Sequence, residues 1–538
     1  MRSSFFEFHV ALSGTFTARS NLEVISHNTA NAAIKGYSRQ VPLQKASEPL
    51  ALNTGKGMVG TGSEVYAVSR ERDTFLDTKY WAQSGVMGEY SGKKGQLAMM
   101  EGVFNEMGSN AGISAGINDF FAKASDLSTT ANDSTYRTNL IQSANSLAGL
   151  INISGETLRK LQTDANTEVS VVVEQINILG EQIVSLNRRI ITHEMDGSHA
   201  NDMRDERARL IDELSRLVNI EVKEIDRGTE LNPNNKHYIV MLNGYDFVNH
   251  FNINPLMVTP RKDPKHNLMD IDGLYEITFM NNNVVFDIYH PRLKGQLKGL
   301  IDIRDGNGAS MAATLPTTDY KGIPYYFEKL NTLVRNLSLA IDLGMYADRT
   351  IVQEAVGHAY GFDLYGNSGT LMFTFSDNPG DGVLPGGLTP VELEDFIDNF
   401  YFTQMDCLNF RVNKALINNP GHVNCAADPL QGESAYAVTL GFGMINNNSS
   451  LFREGKLIDF ITALQSELGI DTKQAGNFEA SYGDMMTVID NQRIDVSGVD
   501  LNEEMINMVK NQQLYQASAK LVSTINSIYD MLINRLGA

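Results

Sequence analysis

Residues 501–536 read LNEEMINMVKNQQLYQASAKLVSTINSIYDMLINRL, without a proline or a glycine. Apolar side chains recur at helical spacing and form two neighbouring stripes, a pattern typical of an amphipathic α-helix. One stripe holds Leu501, Met505, Met508, Tyr515, Val522 and Tyr529, and the other holds Leu514, Leu521, Ile525, Ile528 and Leu532. The resulting face is wider than one neighbouring helix covers. The sequence therefore predicts a helix that packs against more than one partner.

The composition disfavours several classes of function. The 538 residues carry a formal net charge of −20, which argues against a nucleic-acid or anionic-membrane surface. The apolar runs are too short to span a bilayer. The N-terminal MRSSFFEFHVALSG lacks the core and cleavage site of a secretory signal peptide, so we do not expect export by the general secretory route. Residues 1–40 and 501–538 carry almost none of the negative charge, which suggests ends that can crowd beside copies of themselves.

Proline placement divides the chain. Twelve of the 14 prolines lie between Pro233 and Pro429, and residues 50–232 and 430–538 contain none. Because helix interiors exclude proline, both ends should be helical and should flank a middle rich in strands and turns. We expect a multidomain α+β protein: an elongated, coiled-coil-like helical bundle formed by the N- and C-terminal segments, with β-rich domains inserted in the middle.

The same pattern predicts domain limits. Residues 1–60 and 490–538 would form terminal assembly helices that pair as an inner layer. Residues 61–218, 293–345 and 446–489 would form a helical rod. Residues 219–292 would form a small β-rich excursion, and residues 346–445 an outer β-rich insertion with strands at 371–375 and 410–417.

The clearest local pattern lies between Ile141 and Ile190. Mostly apolar and small residues recur there at alternating intervals of three and four positions, as in a heptad repeat. A helix of about 50 residues is about 75 Å long at 1.5 Å per residue. A turn at residues 196–198 would end it, and Asn201 or Asp202 would cap the next helix.

Three strings resemble chemical motifs without the context that the chemistry needs. The string GKGMVG at residues 55–60 has turn-like and β-like flanks, which favour a hairpin over a dinucleotide site. Ser114, within GISAG, follows no buried strand and is better interpreted as a helix cap than as a nucleophile. The charged run at residues 204–209 is typical of a solvated helix face. Cys407 and Cys425 are either a disulfide or two buried thiols.

Residues 28–40 read NTANAAIKGYSRQ. This segment resembles the N-terminal signature of bacterial flagellar axial proteins, and Ser38, Arg39 and Gln40 point within that group to the hook-associated protein 1 family. Further resemblance lies at residues 60–62 and 68–76, 201–207 and 214–218, 299–301 with 304–305, and 497–504 with Gln512, Tyr515 and residues 517–519.

The resemblance implies a structural protein of the hook–filament junction, without enzymatic activity or cofactor. Implied partners are copies of itself, the flagellar hook protein, the second junction protein, and a cytoplasmic export chaperone on the C-terminal helix. It implies export through the flagellar type III channel to the extracellular flagellum, without membrane insertion. The residues assigned to assembly are Leu12, Leu22, Ile25, Asn28, Asn31, Gly36, Tyr37, Arg39, Gln40, Leu501, Met508, Gln512, Leu514, Tyr515, Leu521, Val522, Ile525, Ile528, Tyr529 and Leu532.

Two alternatives remain open at this point. One is another flagellar axial protein, such as the hook protein or the second junction protein. The other is an extracellular adhesin, or a hydrolase that uses Ser114. We also expect residues 1–35 and 500–538 to be poorly ordered or loosely packed in the free monomer, because the chain offers too little surface to bury both stripes. Amides such as Gln512 would fix the register between helices.

Overall fold

The computed structural model describes residues 6–51, 58–104, 112–195, 197–227, 236–262, 265–309, 318–352, 356–429, 437–447 and 451–535. The ends of the predicted terminal helices (residues 1–5 and 536–538), half of the GKGMVG string and residue 196 of the predicted turn therefore lie outside the described residues. The described chain is mostly helical, and its strands form small two- and four-stranded sheets. This confirms the predicted fold class.

Twelve α-helices are found in the described residues. They are α1 (Phe6–Asn31), α2 (Thr74–Phe104), α3 (Gly112–Thr129), α4 (Ser134–Glu194), α5 (Asn201–Leu217), α6 (Gln296–Asp305), α7 (Ile323–Leu343), α8 (Pro390–Ile397), α9 (Lys414–Asn418), α10 (Ala437–Asn447), α11 (Leu457–Ser497) and α12 (Leu501–Arg535). Helices α2, α4, α5, α6, α7 and α11 pack side by side and are called the rod below.

Helix α4 is the 61-residue axis of the rod. Of the predicted alternating positions between Ile141 and Ile190, all are buried except Leu179, which is half-buried. Their side chains enter two apolar clusters, one shared with α3 and α7 and the other shared with α5, α6 and the strands. By length and composition α4 also passes as a candidate membrane span, but half of the apolar window is buried inside the protein. It is better explained as a core helix.

Twelve short strands complete the described fold. They are β1 (Gln40–Ala46), β2 (Leu50–Ala51), β3 (Met58–Val59), β4 (Ser63–Arg70), β5 (Ile220–Asp226), β6 (Lys236–Leu242), β7 (Tyr245–Asn249), β8 (Asn252–Ile253), β9 (Leu256–Pro260), β10 (Tyr275–Phe279), β11 (Phe373–Thr374) and β12 (Arg411–Val412). Strands β1 and β4 form an antiparallel ribbon that β2 and β3 extend. Within the GKGMVG string, Met58 and Val59 pair antiparallel with β2, and residues 55–57 lie outside the described residues.

Residues 346–445 contain less β-structure than predicted. The described part of this region has only β11 and β12, two residues each, and residues 414–418 are helical. Phe373, Phe410 and Cys407 are buried in the same apolar cluster as α4 and α7. The apolar runs at 371–375 and 410–417 were interpreted as strands because short buried segments look alike in either state.

Two predicted caps were wrong. Ser114 lies inside the first turn of α3, which begins at Gly112. Helix α5 begins after Ala200 without a side-chain cap, and the Asn201 amide instead donates to the Val68 carbonyl at 2.9 Å. At the start of α5, the Asn201 side chain thus makes a tertiary hydrogen bond and not a helix cap.

Candidate assembly interface

Helices α1 and α12 run antiparallel along each other and are called the terminal pair below. Three contacts seven residues apart fix their register. The Asn28 amide donates to Glu504 Oε1 at 3.4 Å, and the Asn21 amide donates to Asn511 Oδ1 at 2.9 Å. One step further, a Cβ atom on Gly14 would lie 2.9 Å from Ser518 Oγ. A seven-residue repeat is the repeat of a coiled coil, here with small and polar side chains in place of leucines.

The seam between the two helices is narrow. The buried residues of α1 are Ala11, Thr17, Ala18, Asn21, Ile25 and Asn28. Those of the described α12 are Glu504, Asn511 and Ile525. On its other side α1 meets the ribbon, where the Thr17 hydroxyl donates to the Ser63 carbonyl at 3.1 Å.

The signature segment closes the end of α1. Gly36 adopts a φ of +84°, which a side chain would strain, and this turns the chain out of the helix. Asn28 then clamps the returning strand: its amide donates to the Gln40 carbonyl and its Oδ1 accepts from the Gln40 N–H, both at 2.9 Å. The Tyr37 hydroxyl donates to the same Oδ1 at 2.8 Å. Burial, with the charges of Asp202, Asp205 and Glu504, raises the pKa of Tyr37, so it remains a donor.

Arg39 connects this segment to α12. Its Nε donates to Glu504 Oε1 at 2.9 Å and its Nη2 donates to Glu503 Oε1 at 2.7 Å. Burial would lower the pKa of Arg39, but the hydrogen bonds and charges of the two carboxylates raise it above its ordinary value. The guanidinium is therefore a permanent cation between two anions.

The other side of the segment is bound to α5. The Ser38 N–H and hydroxyl both donate to the Asp205 carboxylate at 2.8 Å, and the Gln40 amide donates to Asp202 Oδ1 at 2.7 Å. Arg70 Nη1 reaches the same Asp205 at 2.6 Å. The resemblance at residues 28–40 and at 201–207 is therefore explained by one polar joint that both segments build.

The structure distributes the predicted assembly residues over this seam and its flanks. Ile25, Asn28 and Ile525 are buried in the seam, and Leu12, Leu22, Asn31, Tyr37, Arg39, Gln40, Met508, Val522 and Tyr529 are half-buried beside it. Gly36, Leu501, Gln512, Leu514, Tyr515, Leu521, Ile528 and Leu532 are exposed. The second stripe, apart from Ile525, thus remains about half exposed to solvent.

Sequence reasoning missed the polar half of the seam. Asn21, Glu504, Asn511 and Ser518 were not among the expected contacts, because a search for apolar periodicity passes over polar residues. A seven-residue repeat of Asn21 with Asn28, and of Glu504 with Asn511 and Ser518, was the available signal. It becomes informative only when the two helices are aligned antiparallel.

The described residues contain neither a cluster of metal ligands nor a disulfide. No group of three or more His, Cys, Asp or Glu side chains there could hold a metal ion. Cys407 and Cys425 are free, buried thiols, and burial raises the pKa of Cys425 to about 11. The sequence left open a disulfide or two buried thiols, and the structure has two buried thiols.

Comparison with known proteins gives matches along the whole chain. Residues 97–341 match the family model of the flagellar hook-associated protein FlgK helical domain, and residues 490–536 match that of the flagellar basal body rod FlgEFG protein C-terminal segment. Flagellar hook-associated protein 1 of Bacillus subtilis (strain 168) is 25% identical over 100% of this chain and 99% of its own length. The chain is thus similar to flagellar hook-associated protein 1 along its whole length. Flagellar hook-associated protein 1 of Escherichia coli (strain K12) is also 25% identical, over 97% of this chain and 98% of its own.

Among solved structures, the flagellar hook junction protein FlgK from Burkholderia pseudomallei is similar, with a TM-score of 0.42 and 19% identity. That likeness covers 56% of this chain and 47% of the other. The matched residues 97–341 include the rod helices α4, α5 and α6, and the matched residues 490–536 include α12 of the terminal pair.

Proposed function

We propose that this protein is a structural adaptor that assembles with copies of itself through its terminal pair and joins the hook of a bacterial flagellum to the filament. The similarity to flagellar hook-associated protein 1 along the whole chain supports the place in the flagellum. The terminal segments 1–60 and 490–538 would form the inner layer of a short ring. The flagellar hook protein and the second junction protein are its proposed neighbours.

The observation that carries the self-assembly proposal is the exposed stripe of Leu514, Leu521, Ile528 and Leu532. About half of each side chain is accessible to solvent, and the four lie on one side of the α1–α12 seam. Burying apolar surface contributes about 25 cal/mol per Å², so covering this stripe would favour association. An exposed apolar stripe of this length marks an interaction surface more often than a free one.

Export would precede assembly. We propose that the protein leaves the cell through the flagellar type III channel and acts in the extracellular flagellum. A cytoplasmic chaperone on α12 would cover the same stripe before export, which keeps a helix with so much exposed apolar surface from associating early.

Replacing Leu521 with Asp tests the self-assembly proposal. The change places a charge in the stripe, and we expect loss of filament attachment in cells and loss of self-association of the purified protein. Ser523→Asp is the matched control, because a residue two positions along a helix lies near the opposite face. It adds the same charge at an exposed position. Normal assembly of Leu521→Asp would contradict the proposal.

A further inference from the structure

The terminal pair is connected to the rod by polar contacts and by short backbone links. In the described part of the chain, α12 packs chiefly along α1, and α1 packs chiefly on α12 and the ribbon. The signature segment and the ribbon hydrogen-bond to α5, but no hydrogen bond or ion pair joins α12 to α5 among the described residues. Two short backbone links lead from this unit to the rod: residues 71–73 between β4 and α2, and residues 498–500 between α11 and α12. Links of this length leave the angle between two bodies free unless side chains restrain it.

Arg39 contacts the first link and the two helices on either side of the second link. Its backbone N–H donates to the carbonyl of Ser497, the last residue of α11, at 2.7 Å. Its carbonyl accepts from the Glu71 N–H at 2.8 Å, and its Nη1 lies 3.7 Å from the Glu71 carboxylate. The remaining guanidinium nitrogens bind the first turn of α12 through Glu503 and Glu504. Arg39 thus contacts the end of rod helix α11, the link at residues 71–73 and the first turn of α12.

The two carboxylates that Arg39 binds differ in burial. The side chain of Glu504 is 2% exposed and that of Glu503 is 52% exposed. Removing one member of a buried ion pair leaves an uncompensated charge, whereas an exposed pair is screened by water and contributes little. Glu504 also accepts from Asn28, so it binds α1 and Arg39 at once.

We propose that Arg39 and Glu504 are positioning residues that fix the direction in which the terminal pair leaves the rod. The contact acts as a restraint on the hinge at residues 498–500. It leaves the fold of either body unchanged. The significance of this direction rests on the proposed function, because neighbouring copies that meet through the terminal pair must all present it at one angle.

A distance measurement across the hinge tests the proposal on the full-length monomer. Spin labels are attached at Asp484→Cys in α11 and Lys510→Cys in α12, both exposed positions. The native Cys407 and Cys425 are buried, so labelling is selective. We expect one narrow distance distribution for the parent protein, a broad one for Glu504→Gln, and a narrow one for the control Glu503→Gln. Circular dichroism should report unchanged helix content in all three.

Arg39→Gln removes the other partner and keeps both backbone hydrogen bonds, so it should broaden the distribution in the same way. A narrow, unshifted distribution in both Glu504→Gln and Arg39→Gln would overturn the proposal, as would a broad distribution in the parent. The distance is measured within the monomer, and the measurement does not require assembly. It therefore stands even if Leu521→Asp assembles normally and the proposed function fails.

Discussion

At the scale of single residues, the glycines of α2 explain how the rod helices approach so closely. Gly88 lies against the end of α5, where a Cβ atom would be 2.0 Å from the Arg216 carbonyl oxygen. On α6, a Cβ atom on Gly299 would be 2.3 Å from the Glu89 carbonyl oxygen of α2. These glycines are therefore contact points between helix backbones.

Gly88→Ala should therefore destabilise the protein, because backbone atoms cannot move aside as a side chain can. Overpacking of this kind costs about 1–3 kcal/mol. Gly95→Ala is the matched control in the same helix, since nothing lies within 4 Å of its Cβ position. Alanine there should be neutral or stabilising through its higher helix propensity. Thermal unfolding of both variants decides the point, and equal melting temperatures would refute it.

Asp342 is a second residue with a measurable consequence. It is fully buried near the end of α7, where its carboxylate accepts from the Met372 N–H at 2.6 Å and from the Tyr401 hydroxyl at 3.1 Å. Burial raises the pKa of Asp342 to about 8 despite these donors. Between about pH 4 and pH 8 the unfolded chain releases this proton and the folded chain keeps it, so the contribution of this group to stability falls as the pH rises.

Asp342→Asn should remove this dependence, because the amide oxygen can accept from the backbone and its NH₂ can donate to Tyr401. We expect a gain at pH 8 on the order of a few kcal/mol in the free energy of unfolding, and a much smaller change at pH 4. Asp395→Asn, at an exposed position of α8, is the control. A gain that is the same at both pH values would show that the carboxyl group does not titrate as inferred.

At the scale of elements, α12 has buried residues near its start and is largely exposed to solvent along the rest of its described length. Glu504 and Asn511 are buried near its start, but beyond Asn511 only Ile525 is buried among the described residues of the helix. A helix with one narrow seam gains little tertiary stabilisation, and isolated helices are marginal in water. The structure has α1 and α12 as helices, and the expectation of loose packing in the free monomer stays a prediction.

Hydrogen exchange of the monomer tests that expectation. Amides from Leu514 to Leu532 should exchange quickly, whereas those near Glu504 should be protected by the joint. The buried part of α4, for example Leu158 to Ile176, is the internal reference for a protected helix. Protection of Leu514–Leu532 equal to that of α4 would be incompatible with ordering upon assembly.

At the scale of the whole molecule, the core and the assembly surface are separate. Neither of the two large apolar clusters contains a described residue of α1 or α12. Deleting the residues after Asp500 should therefore leave the cooperative unfolding of the rod nearly unchanged while abolishing junction assembly. Calorimetry of the purified chain and electron microscopy of cells that carry the deletion measure the two effects. A collapse of the main unfolding transition would contradict this separation.

The parts of this architecture that the sequence predicts are those with dense local patterns. The alternation from Ile141 to Ile190 predicts α4 because apolar residues repeat without interruption. The same reasoning fails in the region 346–445, because its short apolar runs are mostly loop segments that pack on α4 and α7. The polar joint was predictable only as a resemblance, because hydrogen bonds such as Ser38 to Asp205 join residues 167 positions apart. Polar pairs between residues far apart in the chain produce no periodic pattern in the sequence.

The antiparallel seam has a consequence for how such chains can diverge. Asn28 meets Glu504 and Asn21 meets Asn511, so the polypeptide leaves from and returns to the same place. The part of the chain between α1 and α12 starts and ends at the seam, so its length does not affect the geometry of the seam. Segments far from it can be lengthened, shortened or exchanged without disturbing the surface offered to neighbouring copies. The outer part of the molecule is thereby free to change its sequence and size while the seam keeps one register.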